Sequence, residues 1–208
     1  MDDIGSRHNW HYCLRRGFFA SSGGNDILQQ SDVLGLIIAE FGLVMAISGA
    51  INRLSLATAT LLFILYSVVN GATLSVIFLA YSTTVIAKTF FITAGTFGAM
   101  ALVGYTTKTD LTSIGKLLFM ALIGIIIASV VNIFVGSSGL DLIISYVGVL
   151  VFVGLTAYDT QKIKEMCRMA PDAGESMQKL ALLGSLSLYL DFVNLFLYLL
   201  RIFGNNKD

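Results

Sequence analysis

Six apolar segments, at approximately 33–51, 54–81, 85–105, 115–135, 140–158 and 180–203, constrain this chain more than any other feature. Each is close to the roughly 20 apolar residues that an α-helix needs to cross the hydrocarbon layer. Backbone groups in lipid must pair within their own segment, so helices follow. A membrane barrel would show short alternating stretches instead. Composition agrees. Of 208 residues, 56% are hydrophobic and 12% are charged, about half the charge of an ordinary soluble domain. Disorder is excluded by the apolar content. Thirteen basic and thirteen acidic side chains give no net charge, so the basic excess of a nucleic-acid binder is missing.

The connectors between the segments are short: 52–53, 82–84, 106–114 and 136–139. Only 160–179 is long and charged, and it contains the turn signal Pro171-Asp172-Ala173-Gly174. Short connectors make successive helices antiparallel neighbours, so the expected fold is an all-α polytopic membrane helix bundle. The Lys and Arg residues set its orientation. Arg53, Lys108, Lys116, Lys162, Lys164, Arg168 and Lys179 lie at one end. Arg7, Arg15, Arg16, Lys88, Arg201 and Lys207 lie at the other. Without the three N-terminal arginines the balance favours a cytoplasmic placement of 52–53, 106–114 and 160–179. Residues 1–32 stand apart as a polar segment of mixed charge, a tail or the remnant of a helix; 33–208 form the transmembrane domain. Ser67, Gly71 and Ser75 form a small-residue face expected to pack against another helix, as do Ala121, Gly124, Ala128 and Asn132.

Ionisable residues inside a span cost roughly 2.5–3.5 kcal/mol or more at its centre. Here they are Glu40, Lys88, Asp159, Asp191 and Arg201. Lys88 and Arg201 lie near segment ends and can reach the interface. In the last segment Ser187, Asp191, Asn194, Tyr198 and Arg201 fall within about 80° of one another at helical spacing. That polar stripe is expected to face the bundle interior. Its plain reading is a packing network; its functional reading is a path for protons or ions. Asp159 closes the fifth segment. If the last two helices run beyond the membrane and turn near Glu175, the two aspartates reach similar heights. If hydropathy sets the helix ends, Asp159 sits nearer the cytoplasm. Two carboxylates within reach in a dry bundle do not both ionise cheaply, so they titrate as a unit. Arg53 is a candidate partner for Asp159, Glu40 is a third acid, and a ring of carboxylates suits Ca²⁺.

No cofactor is expected. His8 and His11 supply too few ligands for a metal site, and Cys13 and Cys167 read as free thiols.

Val153-Gly154-Leu155-Thr156-Ala157-Tyr158-Asp159-Thr160-Gln161-Lys162-Ile163 and Ser187-Leu188-Tyr189-Leu190-Asp191-Phe192-Val193-Asn194-Leu195-Phe196 resemble the Bax inhibitor family in its bacterial branch. Phe90-Phe91-Ile92-Thr93-Ala94-Gly95-Thr96-Phe97-Gly98 adds to the likeness. The resemblance covers about residues 33–205. It implies a bundle whose last helix is central, with the family's first helix missing or altered here and six visible spans. It implies that Asp159 and Asp191 are a pH-sensing pair and tentative calcium ligands. Arg53 is the nearest match to an arginine latch. Glu40, Ser187, Asn194 and Tyr198 would line the path. The implied activity is a pH-sensitive calcium leak in the cell inner membrane. A membrane-bound AAA protease is an implied partner.

Three functions compete. The first is the proton-gated ion path. The second is an intramembrane aspartyl protease, for which two aspartates on neighbouring helices are suited. Asp191 lacks the Gly-x-Gly-Asp setting that this chemistry uses, and the one proline, Pro171, lies in a turn. The third is a regulatory membrane protein that conducts nothing.

Overall fold

Along an apolar run in lipid the backbone can bond only to itself, and every apolar segment of the chain is helical. The computed structural model describes residues 30–51, 53–75, 77–169 and 174–204. Within them are α1 (Gln30–Ala50), α2 (Leu56–Ser75), the short α3 (Ile77–Ala80), α4 (Thr83–Thr106), α5 (Thr112–Val135), α6 (Ser138–Met169) and α7 (Glu175–Gly204). No strand occurs among the described residues. Five helices, α2 and α4 to α7, are long and apolar enough to cross a membrane. The remaining apolar segment, 33–51, forms the 21-residue α1. The structural questions raised by residues 1–29, including His8, His11, Trp10 and Cys13, fall outside the described residues, as does Pro171.

Hydropathy ends the fifth segment at 158, but α6 continues to Met169. Gln161, Lys162, Lys164, Glu165 and Arg168 are all good helix formers, and water can solvate them as well as a loop can. The connector expected at 160–179 is therefore mostly helix. At 32 and 30 residues, α6 and α7 are about 48 and 45 Å long. Both exceed the hydrocarbon layer of about 30 Å.

Two apolar cores meet on α7. One joins Ile125 of α5, Ile144, Val151, Phe152 and Leu155 of α6, and Leu195 and Leu199 of α7. The other joins Ile47 of α1, Ala59 and Tyr66 of α2, and Leu186 of α7. The last helix is thus central, as expected, but α6 shares the centre. Its apolar window is 44% buried, against 28% for α7 and 11–17% for α2, α4 and α5. The large side chains on the outer faces, such as Phe91, Phe134 and Leu150, are exposed, as they must be to meet acyl chains.

Glycine allows the closest approaches. Gly104 lets α4 press against the backbone of Ala157, and a Cβ there would overlap its carbonyl oxygen. Gly148 accommodates the Tyr198 ring and Gly184 accommodates Ile163. The small-residue face expected at Ser67, Gly71 and Ser75 is not such a contact. A Cβ on Gly71 would meet nothing within 4 Å. The Ser67 and Ser75 hydroxyls donate to the carbonyls of Phe63 and Ala72 on their own helix.

Three connectors share one end of the bundle. The buried Gln161 amide accepts from the Leu111 N–H (2.8 Å) and donates to the Thr109 carbonyl (2.8 Å). Lys164 Nζ donates to the Tyr105 carbonyl (2.5 Å). Glu175 accepts from the Leu56 N–H (3.2 Å) and pairs with Lys179 (2.9 Å). This end carries Arg53, Lys108, Lys116, Lys162, Lys164, Arg168 and Lys179. Among the described residues, Lys88 and Arg201 are the Lys and Arg of the other end. The bias places the first end in the cytoplasm.

At the opposite end, Asn132 closes the α5–α6 turn. Its oxygen accepts from Ser137 N–H (3.1 Å) and its amide donates to Asp141 (3.2 Å). Gly136 takes a left-handed conformation (φ 66°) as the C-cap of α5, which glycine enters without steric cost. Arg201 lies 3.7 Å from Asp141 and over the Tyr198 ring. It ties α7 to this turn, a more specific role than an interfacial anchor.

Candidate functional site: the Asp159–Asp191 seam

Asp191 lies inside the bundle at 4% exposure. Sixteen residues separate it from Glu175, where α7 begins, a distance of about 24 Å along the axis. Its neighbour Phe192 packs edge-to-face against Phe90 and Phe97 of α4, with ring centroids 5.7 and 5.4 Å away. One Asp191 oxygen, Oδ2, is fully enclosed and has no hydrogen-bond partner among the described residues. Buried polar atoms almost always have one, so this atom marks a place where the protein leaves a bond unmade.

Asp159 is half-buried on the facing side of α6, and its charge acts on Asp191. The register follows from two contacts, Ile163 against Gly184 and Tyr198 against Gly148. They set Asp159 level with Ser187 and Leu188, about one turn, or 5 Å, to the cytoplasmic side of Asp191. The arrangement lies between level pairing and the higher placement that hydropathy alone implies. Side chains lean toward the N-terminus of their own helix. In this antiparallel pair Asp159 leans away from the cytoplasm and Asp191 leans toward it, so the two carboxylates converge across the offset.

Of the rest of the stripe, Tyr198 meets α6, stacking on Phe152 with centroids 5.8 Å apart. Asn194 donates to the Leu190 carbonyl of its own helix (2.8 Å), and Ser187 is half-buried.

Two expected residues do not join the pair. Arg53 is exposed at the α1–α2 turn, near the level of Glu175 through the Leu56 contact. Both aspartates lie several turns deeper, beyond an arginine's reach, so the latch is not formed. The cation whose charge acts on Asp159 is Lys162, three residues along α6, with its ammonium 5.9 Å from the Tyr158 ring centroid.

Glu40 is the other residue that stays apart. Its Oε2 accepts from the Asn70 amide (3.3 Å), and Asn70 Oδ1 accepts from the Tyr189 hydroxyl (2.7 Å). Tyr66 meets Tyr189 edge-to-face at 5.9 Å. Glu40 Oε1 is enclosed without a partner among the described residues. Tyr189 and Asp191 are two positions apart, about 200° around α7. The central helix therefore carries two polar sites on opposite sides. The expected ring of carboxylates is not assembled, and no group of three acidic, His or Cys ligands occurs among the described residues. Asn70, Tyr66 and Tyr189 were not singled out from the sequence. The available signal was Asn70, the only carboxamide in the 54–81 run.

A family model described as "Inhibitor of apoptosis-promoting Bax1" matches residues 17–208. The chain belongs to the Bax inhibitor family. The match begins inside the segment set apart at 1–32. The inner membrane protein YbhL of Escherichia coli is 54% identical over 176 residues, covering 84% of this chain and 75% of that one. An uncharacterized protein of Borreliella burgdorferi is 55% identical over 175 residues, with coverage of 84% and 75%. One from Rickettsia prowazekii is 47% identical over 173 residues, with coverage of 83% and 73%. None of these names gives an enzymatic activity. With its apolar spans, this member of the family is a multi-pass inner membrane protein.

Proposed function

We propose that this Bax inhibitor family protein is a pH-sensitive calcium leak whose gate is the Asp159–Asp191 pair. The observation that carries this reading is the enclosed, unpartnered Asp191 Oδ2 beside a second carboxylate on the facing helix. A proton supplies the missing partner directly. A passing Ca²⁺ supplies it as a cation, because Ca²⁺ takes oxygen ligands and carboxylates above all. Calcium is cargo here, held in transit by Asp159 and Asp191. Ser187 and Tyr198 extend the polar seam on either side.

Gating follows from the charge of the pair. Two ionised carboxylates converging in a dry seam repel each other, and one proton shared between them removes that repulsion. A second proton removes the remaining charge and with it the attraction of Lys162 for Asp159. The α6–α7 seam therefore changes its internal forces in two steps as pH falls, and acid opens the path. The reading requires no contact from Arg53.

Calcium flux into vesicles containing the purified protein tests it. Flux of the wild-type protein is expected to rise as pH falls. Asp191→Asn, which keeps the shape but removes one titrating group, is expected to flatten that dependence, and Asp159→Asn to shift it. A pH profile unchanged by Asp191→Asn sinks the gate.

A further inference from the structure

At the cytoplasmic end of the α4–α6–α7 seam lies a half-open cavity of about 410 Å³. Its apolar wall is formed by Ile163 and Leu188, and its rim by Tyr105, Lys164 and Arg168. The geometry points to a binding site for the phosphate headgroup of an anionic phospholipid from the cytoplasmic leaflet.

Charge is the first argument. Lys164 and Arg168 lie one turn apart on the same face of α6 and both line the cavity. Glu165 is one position on from Lys164, about 100° around the helix, and lines no part of it. The Lys164 ammonium donates to the Tyr105 carbonyl and lies 5.1 Å from the Tyr105 ring centroid. An ammonium has three donors, so it retains capacity for a phosphate oxygen. Arg168 is exposed on the next turn, and a guanidinium matches two phosphate oxygens at once.

Depth is the second argument. Tyr105 is the penultimate residue of α4 and is exposed. Aromatic residues at span ends sit at headgroup level. The cavity thus has a cationic rim where phosphates lie and an apolar wall where glycerol and the first methylenes begin. Basic pockets between transmembrane helices on this side of a membrane hold anionic headgroups. A free phosphate ion has no use for the apolar wall.

Cys167 also lines the cavity and is exposed, so its thiol reports occupancy. The test is the rate of Cys167 alkylation by an uncharged maleimide in the full chain carrying Cys13→Ser. The protein is placed in nanodiscs of phosphatidylcholine, with or without phosphatidylglycerol. Phosphatidylglycerol is expected to slow labelling roughly 25-fold, the scale set by two basic side chains facing an anionic headgroup at about 1 kcal/mol each. In the Lys164→Gln/Arg168→Gln variant the slowing is expected to vanish. Millimolar inorganic phosphate in phosphatidylcholine discs is expected to change nothing.

Equal rates in the two discs overturn the proposal. Slowing that persists in the double variant overturns it too, because a surface-charge effect then explains it. Protection by inorganic phosphate alone overturns the lipid assignment. If the double variant fails to fold, Arg168→Gln alone serves, read by native mass spectrometry. Fewer phosphatidylglycerol molecules retained than by wild type supports the site, and equal retention overturns it. None of these readouts depends on calcium flux.

Discussion

Replacing Gln161 with Leu isolates what fastens the cytoplasmic end of the bundle. Gln161 is 6% exposed. Its side-chain amide makes two bonds with the α4–α5 connector, from Leu111 N–H and to the Thr109 carbonyl, both at 2.8 Å. Leu is similar in volume, so the cavity cost is small. Each neutral hydrogen bond contributes about 1 kcal/mol net, so the connector loses about 2 kcal/mol of local stability. At 1.4 kcal/mol per tenfold, its open population rises roughly 25-fold. Hydrogen exchange on the full chain in detergent reads this directly. The Leu111 amide is expected to exchange roughly 25-fold faster, while interior amides such as those of Ile125 and Val151 keep their rates. Gln161→Glu keeps the acceptor for Leu111 but turns an oxygen toward the Thr109 carbonyl. It is expected to raise exchange by at least about fivefold, the equivalent of one lost bond, because two acceptors then face each other. Wild-type exchange at Leu111 in Gln161→Leu would refute the reasoning, because those bonds would then not hold the connector.

Two further predictions rest on separate observations. Gly104→Ala forces a methyl into the Ala157 backbone and is expected to destabilise the bundle by about 1–3 kcal/mol, read as a lower thermal midpoint by fluorescence-detected gel filtration. Gly71→Ala, with open space around it, serves as the control, and equal losses in both variants would contradict the packing. Asp110, in the α4–α5 connector, accepts from the Thr112 N–H at 2.8 Å. The Thr112 hydrogen bonds, more than the charge of Lys116, hold its carboxyl below the ordinary value of 3.8. A folded-state pKa below the unfolded one means that the contribution is present above the ordinary value and is lost as pH falls through the folded one. The carboxyl resonance of Asp110 is therefore expected to titrate below pH 3.8, and a midpoint at or above that value would count against the Thr112 hydrogen bonds.

The two aspartates illustrate how far periodicity reaches. Helical spacing places Ser187, Asp191, Asn194, Tyr198 and Arg201 on one face without any coordinates, and that face meets α6 at Tyr198 and Arg201. The same spacing implies that Tyr189 points away from Asp191. It does not say what Tyr189 meets, and the answer is Asn70, bridging to Glu40. Arg53 and Glu40 share the pair's chemistry but not its place. A residue's height along its own helix follows from counting, whereas the rotation and offset of one helix against another follow from packing. Gly71 teaches the same lesson from the opposite side. Its small-residue pattern is as clear as any in the chain, yet close approaches come at Gly104, Gly115, Gly148, Gly154, Gly184 and Gly204, where a neighbouring side chain or backbone happens to press.

From the sequence alone came the membrane-crossing helices, their antiparallel order, the cytoplasmic end and the two aspartates as the residues of interest. Bilayer thickness and the need to satisfy every backbone group in lipid permit almost no other outcome. Tertiary structure alone decided which polar groups meet. Ile163 seated on Gly184 and Tyr198 on Gly148 offset the last two helices by about a turn. Through that offset Asp159 leans toward Asp191, and Arg201 reaches Asp141 instead of the seam. Side-chain volumes at helix contacts set such phases, and no single helix carries that information in its own pattern.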